Sequence, residues 1–292
     1  MLDRIVVVLV EPQHPGNVGA AARAMKNMGL SRLVVVAPPA YDPEQARWMA
    51  PGASDLLAST RIVATLDEAL EGCHVAVAST ARHRKQGQPV LTPPDLASAI
   101  AEDDRTWALL FGREDFGLST DDILRCESIV RIPTPEHASL NLAQAVLLLA
   151  NTLFTEARAR GHAATGRTLG GSRGKRTTAS KSKGDKRDQL ADLRRIEPAV
   201  ADLIDLLDRV GYFRSTPEDK VRLTARQALQ RSSISIRHLE ALRGMVSRTR
   251  WALEHPDLDP RAPSSRDSQT VPAVGEPGDS RTVPAGPRDS EA

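Results

Sequence analysis

Cysteine is scarce in this sequence of 292 residues, and long apolar runs are absent. Cys73 and Cys126 have no cysteine or histidine neighbour at zinc-site spacing, so we expect no metal and two buried thiols in a reducing compartment. No run reaches the roughly 18 apolar residues of a membrane span. The run Ile5–Val10 is too short for a signal peptide and is typical of a buried strand. We therefore expect a cytoplasmic protein without membrane contact.

Fingerprints of nucleotide-binding proteins are missing as well. The sequence contains neither the G-x-G-x-x-G turn of dinucleotide sites nor a P-loop. After Val36, where a strand is predicted to end, Ala37, Pro38 and Pro39 stand in place of the acid that binds a ribose. These absences count against a nicotinamide dehydrogenase, which is kept as an alternative that NADH titration tests.

Charge is balanced in total but uneven along the chain. The formal net charge is +2, which by itself indicates nothing about nucleic acid. Bases collect after Arg158 and again between Lys220 and Arg250, where Arg226 and Arg243 fall on outward positions of predicted helices. Such asymmetry favours a polyanionic partner.

Strand-like and helix-like segments alternate through the first half of the chain. Continuous β-branched runs predict strands at residues 5–10, 33–36, 61–63, 75–78, 108–111 and 128–132. Helical patterns cover residues 18–28, 67–70 and 140–160. Gly29 and Gly72 follow the first two helices as stop signals. The alternation predicts an α/β fold with a mostly parallel sheet and helices on both faces.

Composition divides the chain into four parts. An α/β domain covers residues 1–157, and residues 158–187, rich in Gly, Ser, Lys and Arg, predict a flexible basic linker that is a tether or also a phosphate contact. Helical periodicity over residues 188–254 predicts a small all-α domain, with a kink or a break at Pro198. Residues 255–292 have a disordered composition.

Two segments place small and polar residues directly after strands, where α/β proteins bind ligands. In residues 11–23, a helix opens with Asn17 and Gly19, and the small residues at its start allow another group to pack closely before Arg23. In residues 110–119, a strand ends at Gly112, where a flat ligand can approach the backbone, and Glu114 follows.

A third segment, residues 132–146, crosses a proline-rich loop to the start of a long predicted helix. Ser139 stands at the predicted N-cap position, and Asn141 follows two residues later. A polar helix start also suits a carboxylate or a phosphate, so capping and ligand binding both stay open for these two residues.

Together, these segments resemble the three signature motifs of the SPOUT superfamily of RNA methyltransferases, and within it the tRNA 2′-O-methyltransferase family of the TrmJ type. The motif residues are Asn17, Gly19, Arg23, Gly112, Glu114, Gly117, Ser139, Leu140 and Asn141. The resemblance covers residues 1–157 closely and residues 236–244 weakly. It implies a Rossmann-like sheet with a C-terminal trefoil knot, S-adenosylmethionine as cofactor, and a homodimer in which each site is completed across the interface.

The resemblance also implies the site residues. The cofactor would contact Ser79, Thr80, Ala81, Leu110, Phe111, Gly112, Ile132, Ala138, Ser139 and Leu140. The catalytic residues would be Arg23, Asn17, Glu114, Ser139 and Asn141. Because an arginine guanidinium stays protonated up to a pH above about 12, we expect Arg23 to hold a phosphate and stabilise the developing alkoxide, with Glu114 orienting Arg23 or the loop. Arg82 and Arg84 are either RNA contacts or a solvated loop.

The reaction implied by the resemblance is methyl transfer to a ribose 2′-hydroxyl of RNA. Its substrate would be cytidine or uridine at position 32 of the tRNA anticodon loop, with the C-terminal helices gripping the rest of the tRNA. Ribosomal RNA is the alternative substrate, and a non-catalytic RNA-binding protein of the same fold is the alternative function. No DNA partner is expected.

Overall fold

The centre of the fold is one parallel sheet, described in a computed structural model over residues 1–81, 88–135, 139–161, 186–214 and 216–255. Its strands within these residues are β1 Ile5–Val10, β2 Arg32–Val36, β3 Arg61–Val63, β4 Val75–Ser79, β5 Val90–Leu91, β6 Trp107–Phe111 and β7 Ser128–Val130. The strand order is β3-β2-β1-β6-β4-β7-β5, and each neighbouring pair is parallel. This confirms the predicted α/β class and parallel sheet.

Helices connect the strands and follow β7. They are α1 Pro15–Asn27, α2 Pro43–Trp48, α3 Ser54–Ala58, α4 Leu66–Ala69, α5 Pro93–Ala101, α6 Thr120–Leu124, α7 Leu142–Ala159, α8 Leu193–Arg209, α9 Glu218–Arg231 and α10 Ile236–Glu254. The sequence patterns located α1, α4 and α7 to α10 but missed α2, α3, α5, α6 and β5. A local signal did exist for α5, because Thr92 and Asp95 form a capping box around its first turn.

Alternate residues of the sheet enter two separate cores. In β1, Ile5, Val7 and Leu9 pack into one cluster together with residues of α1, α5 and α7. Val6 and Val8 face the opposite cluster. A strand that is buried on both faces needs apolar residues at every position, which explains the continuous apolar runs of the sequence.

Helices α8 and α10 belong to the second core. Leu193 and Val200 of α8 and Leu239 of α10 are buried in the same cluster as Val6 and Val8 of β1. The structure forms two compact units, Met1–Arg250 and Trp251–Ala292, so helices α8 and α9 fall in the same unit as the sheet. Most of the predicted linker and tail lies outside the described residues, and the four-part division stays a prediction.

Two local expectations for the helices can be checked directly. Helix α8 is continuous through Pro198, so of the kink and the break expected there the break does not occur. Gly29 and Gly72 have φ values of 74° and 73°, the left-handed conformation expected of residues that stop a helix. The trefoil knot stays a prediction, because residues 82–87 and 136–138 lie outside the described residues.

Both cysteines are buried, as the sequence predicted. Burial raises the pKa of Cys73 to about 11 and raises that of Cys126 as well, so both side chains are neutral thiols at physiological pH. In the described part of the chain, histidine, cysteine and carboxylate side chains form no group of three that could hold a metal ion. No described helix combines the length and apolarity needed to cross a bilayer.

Candidate functional site

A cavity of about 280 Å³ opens at the edge of the sheet where the parallel strands end. It is lined by Ser79, Thr80, Ala81, Phe111, Gly112, Arg113, Glu114, Asp115, Gly117, Ile132, Thr134, Ser139, Leu140, Leu142 and Ala145. These residues follow β4, β6 and β7 and enter the first turn of α7. The carboxyl edge of a parallel sheet is where α/β proteins bind ligands, because the loops of several strands meet there.

Eight of the ten predicted cofactor contacts line this cavity: Ser79, Thr80, Ala81, Phe111, Gly112, Ile132, Ser139 and Leu140. The side chain of Leu110 does not, because it is buried in the second core, on the other face of β6. Ala138 lies outside the described residues. Sequence reasoning did not assign Arg113, Asp115, Thr134, Leu142 and Ala145 to the site, although all five are close in sequence to residues that it named.

A chain of hydrogen bonds joins the three motif segments beside the cavity. Asn17 donates from Nδ2 to Glu114 Oε1 at 2.7 Å, and Asn141 donates from Nδ2 to Asn17 Oδ1 at 3.2 Å. Glu114 also accepts from the backbone N–H groups of Gln13 and His14, at 2.8 and 3.4 Å. Glu114 therefore orients the loop before α1, which is one of the two roles expected for it, and no bond between Glu114 and Arg23 occurs.

The start of α7 corrects one expectation. Asn141, and not Ser139, is the N-cap, and its Oδ1 accepts from the N–H groups of Ala143 and Gln144 at 2.9 and 3.4 Å. Gln144 in turn accepts from the backbone N–H of Asn141 at 3.3 Å, which completes a capping box. Ser139 does not cap α7, and it lines the cavity.

Two glycines serve a different purpose from the one the sequence suggested. A Cβ on Gly19 would lie 1.9 Å from the carbonyl oxygen of Ala46, so the close partner of the α1 start is the backbone of α2 rather than a ligand. A Cβ on Gly112 would lie 2.2 Å from the backbone of Gly117 and Leu118. Gly112 lines the cavity, yet the closure of its own loop is what requires a glycine there.

Ion pairs fix the loop that follows β6. Arg113 donates to Asp115 at 2.9 and 3.0 Å and to Glu11 at 3.2 Å. The hydrogen bonds that Asp115 accepts from Arg113 hold the pKa of Asp115 below its usual value. The pairing with Asp115 first, then with Glu11, raises the pKa of Arg113. The backbone N–H of Gly117 donates to the carbonyl of Arg113 at 2.8 Å and closes the loop.

Arg23 is separate from this arrangement. It is exposed on α1 and does not line the cavity, and no side chain or carbonyl within the described residues pairs with it. Asn17 lies six residues earlier on the same helix, which is about 9 Å along the helix axis. Arg82 and Arg84, the other expected RNA contacts, lie outside the described residues.

The arginines of the C-terminal helices are mostly paired with acids. Arg226, expected on an outward position, is only 4% exposed and donates from Nε and Nη2 to the two carboxylate oxygens of Glu197, while its Nη1 donates to the carbonyl of Leu124. Arg243 donates to Asp202 at 2.7 Å, and Arg250 donates to Asp205 at 3.3 Å. Bases that are paired with acids of the same protein attract phosphates less strongly, so the arginine count of these helices overstates their basic character.

Fold and site together define a parallel α/β protein with a small-molecule cavity at the carboxyl edge of its sheet, framed by three hydrogen-bonded loops. The sequence profile of the SpoU rRNA Methylase family matches residues 4–151. The chain belongs to the SpoU methylase family, which confirms the resemblance inferred from its motifs.

Within that family, the chain is similar to several proteins named TrmJ. The chain is 39% identical to the tRNA (cytidine/uridine/adenosine-2′-O-)-methyltransferase TrmJ of Pseudomonas aeruginosa, over 85% of this chain and 95% of that protein. It is 46% identical to the tRNA (cytidine/uridine-2′-O-)-methyltransferase TrmJ of Pectobacterium atrosepticum, over 51% of this chain and 64% of that protein. The crystal structure of TrmJ from Z. mobilis ZM4 matches with a TM-score of 0.65 and 33% identity, covering 84% of this chain and 98% of that one.

Proposed function

We propose that this protein transfers a methyl group from S-adenosylmethionine to a ribose 2′-hydroxyl of tRNA, at cytidine or uridine 32 of the anticodon loop. The observation that carries the proposal is the Glu114–Asn17–Asn141 hydrogen-bond chain beside the cavity. It links the three loops whose residues match the family motifs, and it fixes polar groups next to a space that can hold a small molecule. The reaction would take place in the cytoplasm.

The lining of the cavity fits this cofactor. Ile132, Leu140, Leu142 and Ala145 form an apolar wall for an adenine ring. Glu114 and Asp115 supply negative charge suited to the cationic groups of the cofactor. When bound, S-adenosylmethionine supplies a methyl group that is activated for transfer by the positive sulfur. The residues of the protein then have to position the ribose and accommodate the charge that develops on its oxygen.

Arg23 is the proposed partner of the RNA backbone and of the developing alkoxide. It is exposed and has no partner within the described residues, so its charge is available to an incoming phosphate. The side chains of Asn17 and Asn141 are hydrogen-bonded at 3.2 Å, beside the cavity-lining Glu114, and would orient the ribose, while Ser139 would contact the ribose or the cofactor. Glu114 keeps Asn17 in position.

A homodimer accounts for the separation between Arg23 and the cavity. Arg23 lies about two helical turns beyond the start of α1 and does not line the cavity of its own chain. Helix α7, which packs against α1, exposes Leu147 and Leu148, an apolar surface suited to a second copy. In such a dimer, Arg23 of one subunit would complete the site of the other.

The choice of tRNA as substrate is supported by the extent of the comparison with TrmJ. The match to the Pseudomonas aeruginosa protein includes the C-terminal helices as well as the sheet, since it spans 85% of this chain. The family itself carries the name of ribosomal RNA methylases, so ribosomal RNA is the second candidate substrate.

The decisive experiment measures methyl transfer from labelled S-adenosylmethionine into purified tRNA and ribosomal RNA. We expect label in tRNA, located at nucleotide 32 by mapping, and a fall of about a hundredfold or more in kcat/KM for Arg23→Ala. Lys26→Ala is the matched control, because Lys26 is an exposed base on the same helix whose partner is Asp55. Label in ribosomal RNA alone would show that ribosomal RNA, and not tRNA, is the substrate. Full activity of Arg23→Ala would show that Arg23 has no role in the reaction. If calorimetry found no binding of S-adenosylmethionine, the protein would be an RNA-binding protein without catalytic activity.

A further inference from the structure

The loop after β6 exposes an aromatic ring to solvent, in a segment whose other residues line the cavity. Phe116 is 62% exposed. Its neighbours Asp115 and Gly117 both line the cavity, as does Arg113. Aromatic residues make up only 3% of the sequence, and this one is exposed between two residues that line the cavity. Its sequence signal was overlooked because Phe116 lies between two motif residues and is not one itself.

The ring is held in place from one side. The guanidinium of Arg113 lies over the Phe116 ring, 5.4 Å from its centroid. Arg113 is itself fixed by Asp115 and Glu11, and the backbone N–H of Phe116 donates to Asp115 Oδ1 at 2.8 Å. A ring whose backbone and one face are both fixed loses little conformational freedom when something binds to its other face.

Charge around the ring selects the kind of group that can bind there. Among the described residues of the loop after β6 and their ion-pair partners, Arg113 carries the one positive charge, while Glu11, Glu114 and Asp115 carry three negative charges when ionised. The excess of negative charge disfavours contact with a phosphate. A flat, uncharged nucleobase meets no such penalty, and it stacks on an aromatic face whatever its sequence identity.

We propose that Phe116 is a stacking platform for the base of the nucleotide that is methylated. This inference rests on the proposed function and adds to it a residue that recognises the substrate. A ribose can reach a methyl donor in the cavity only if its own base lies close to the cavity-lining residues, and two of those residues, Asp115 and Gly117, flank Phe116 in the sequence. Stacking on the ring would hold the base outside the cavity and direct the 2′-hydroxyl inward.

Other exposed aromatic residues lack this setting. Trp48 is 76% exposed and Tyr212 is 50% exposed, but neither is flanked by residues that line the cavity. Tyr212 therefore provides a matched control, since Tyr212→Ala also removes an exposed ring from the surface of the same compact unit.

The experiment compares Phe116→Ala, Phe116→Leu, Phe116→Trp and Tyr212→Ala with the wild-type protein in steady-state methylation of a tRNA transcript. For Phe116→Ala we expect the KM for tRNA to rise about tenfold, since loss of one base–aromatic stack has an effect of this order, while calorimetry finds unchanged affinity for S-adenosylmethionine. Phe116→Leu retains apolar bulk and should be similarly impaired. Phe116→Trp should restore the KM, and Tyr212→Ala should leave it unchanged.

A second substrate tests the identity of the stacked group. An anticodon stem-loop with an abasic ribose at the target nucleotide retains the 2′-hydroxyl but offers no base, so the difference between wild type and Phe116→Ala should disappear. An unchanged KM for Phe116→Ala, full activity of Phe116→Leu, or a persistent difference on the abasic RNA would overturn the inference. So would loss of dimer in sedimentation of Phe116→Ala, because the ring would then contact a second copy.

Failure of the inference is distinguishable from failure of the proposed function. Wild-type protein that methylates no RNA contradicts the proposed function, whatever Phe116 does. In that case equilibrium binding of fluorescent stem-loop RNA, with and without the target base, still tests the stack. Equal affinity of wild type and Phe116→Ala for the intact stem-loop would then reject it.

Discussion

At the scale of single residues, Asn141 has two separable tasks. Its Oδ1 caps α7 by accepting from the N–H groups of Ala143 and Gln144, while its Nδ2 donates to Asn17. The first task stabilises a helix, and the second connects the third motif to the first. Because an aspartate has the acceptor but not the amide donor, the two tasks can be tested apart.

Replacing Asn141 by alanine should lower the free energy of unfolding by about 1 kcal/mol, because the capping acceptor is lost. Asn141→Asp should retain wild-type stability but lose about tenfold or more in methyl transfer, because two acceptor oxygens then face each other at Asn17. Urea unfolding and single-turnover methylation measure the two effects.

Thr92→Ala is the control for this pair, since Thr92 forms the equivalent capping box at α5, away from the cavity. It should lose stability to a similar extent and retain activity. If Asn141→Asp were fully active, the hydrogen bond to Asn17 would have no role in the reaction.

At the scale of secondary-structure elements, the contact between α1 and α2 depends on one missing methyl group. Gly19 brings the backbone of α1 against the carbonyl of Ala46, and both helices belong to the core on the same face of the sheet. The first motif is thereby held by packing on one side and by Glu114 on the other. Its glycine therefore has a structural task, whereas Asn17 and Arg23 are the residues of this motif that we propose to act in the reaction.

Gly19→Ala should destabilise the protein by about 2 kcal/mol or more, because a Cβ at 1.9 Å from a backbone oxygen forces α1 and α2 apart.

Gly244→Ala is expected to have the opposite effect on stability. Gly244 lies inside α10, and a Cβ added to it would meet no atom of the described residues within 4 Å, so alanine should stabilise the protein by about 0.5 to 1 kcal/mol. Thermal or urea unfolding of the two variants measures whether the free energy of unfolding falls for Gly19→Ala and rises for Gly244→Ala. An unchanged stability of Gly19→Ala would show that α2 can shift to accommodate the added methyl group.

At the scale of the whole molecule, the proposed dimer predicts that two defective subunits can repair each other. One subunit carries Arg23→Ala, and the other carries Ala145→Phe, which fills the cavity. If Arg23 acts in the site of the partner, a mixed dimer contains one site with an intact cavity and an intact arginine, so about half of the wild-type activity should return.

Two different affinity tags on co-expressed subunits allow the mixed dimer to be purified and assayed. Each variant alone should be inactive, and separately purified variants mixed without subunit exchange give the baseline. A mixed dimer no more active than this baseline would mean that Arg23 serves the cavity of its own chain.

Much of the fold could be predicted from local patterns. Strands β1, β2 and β6 are buried on both faces, so each is a continuous apolar run with a recognisable end. Since parallel strands end at one edge, the segments after β1, β6 and β7 could be expected to meet, and Asn17, Glu114 and Asn141 do meet. Short helices such as α2 and α3 have too few residues for a periodic pattern, which is why they were missed.

What the sequence alone determined is the class of fold, the family and eight of the residues that line the cavity, because strand patterns and motif spacing are local properties of the chain. Only the tertiary structure decided which groups pair across long separations. It gave Gly19 the carbonyl of Ala46 as its neighbour, buried Arg226 against Glu197, and paired Arg113 with Glu11. Such pairings depend on distances between segments far apart in sequence, and those distances exist only after the chain has folded.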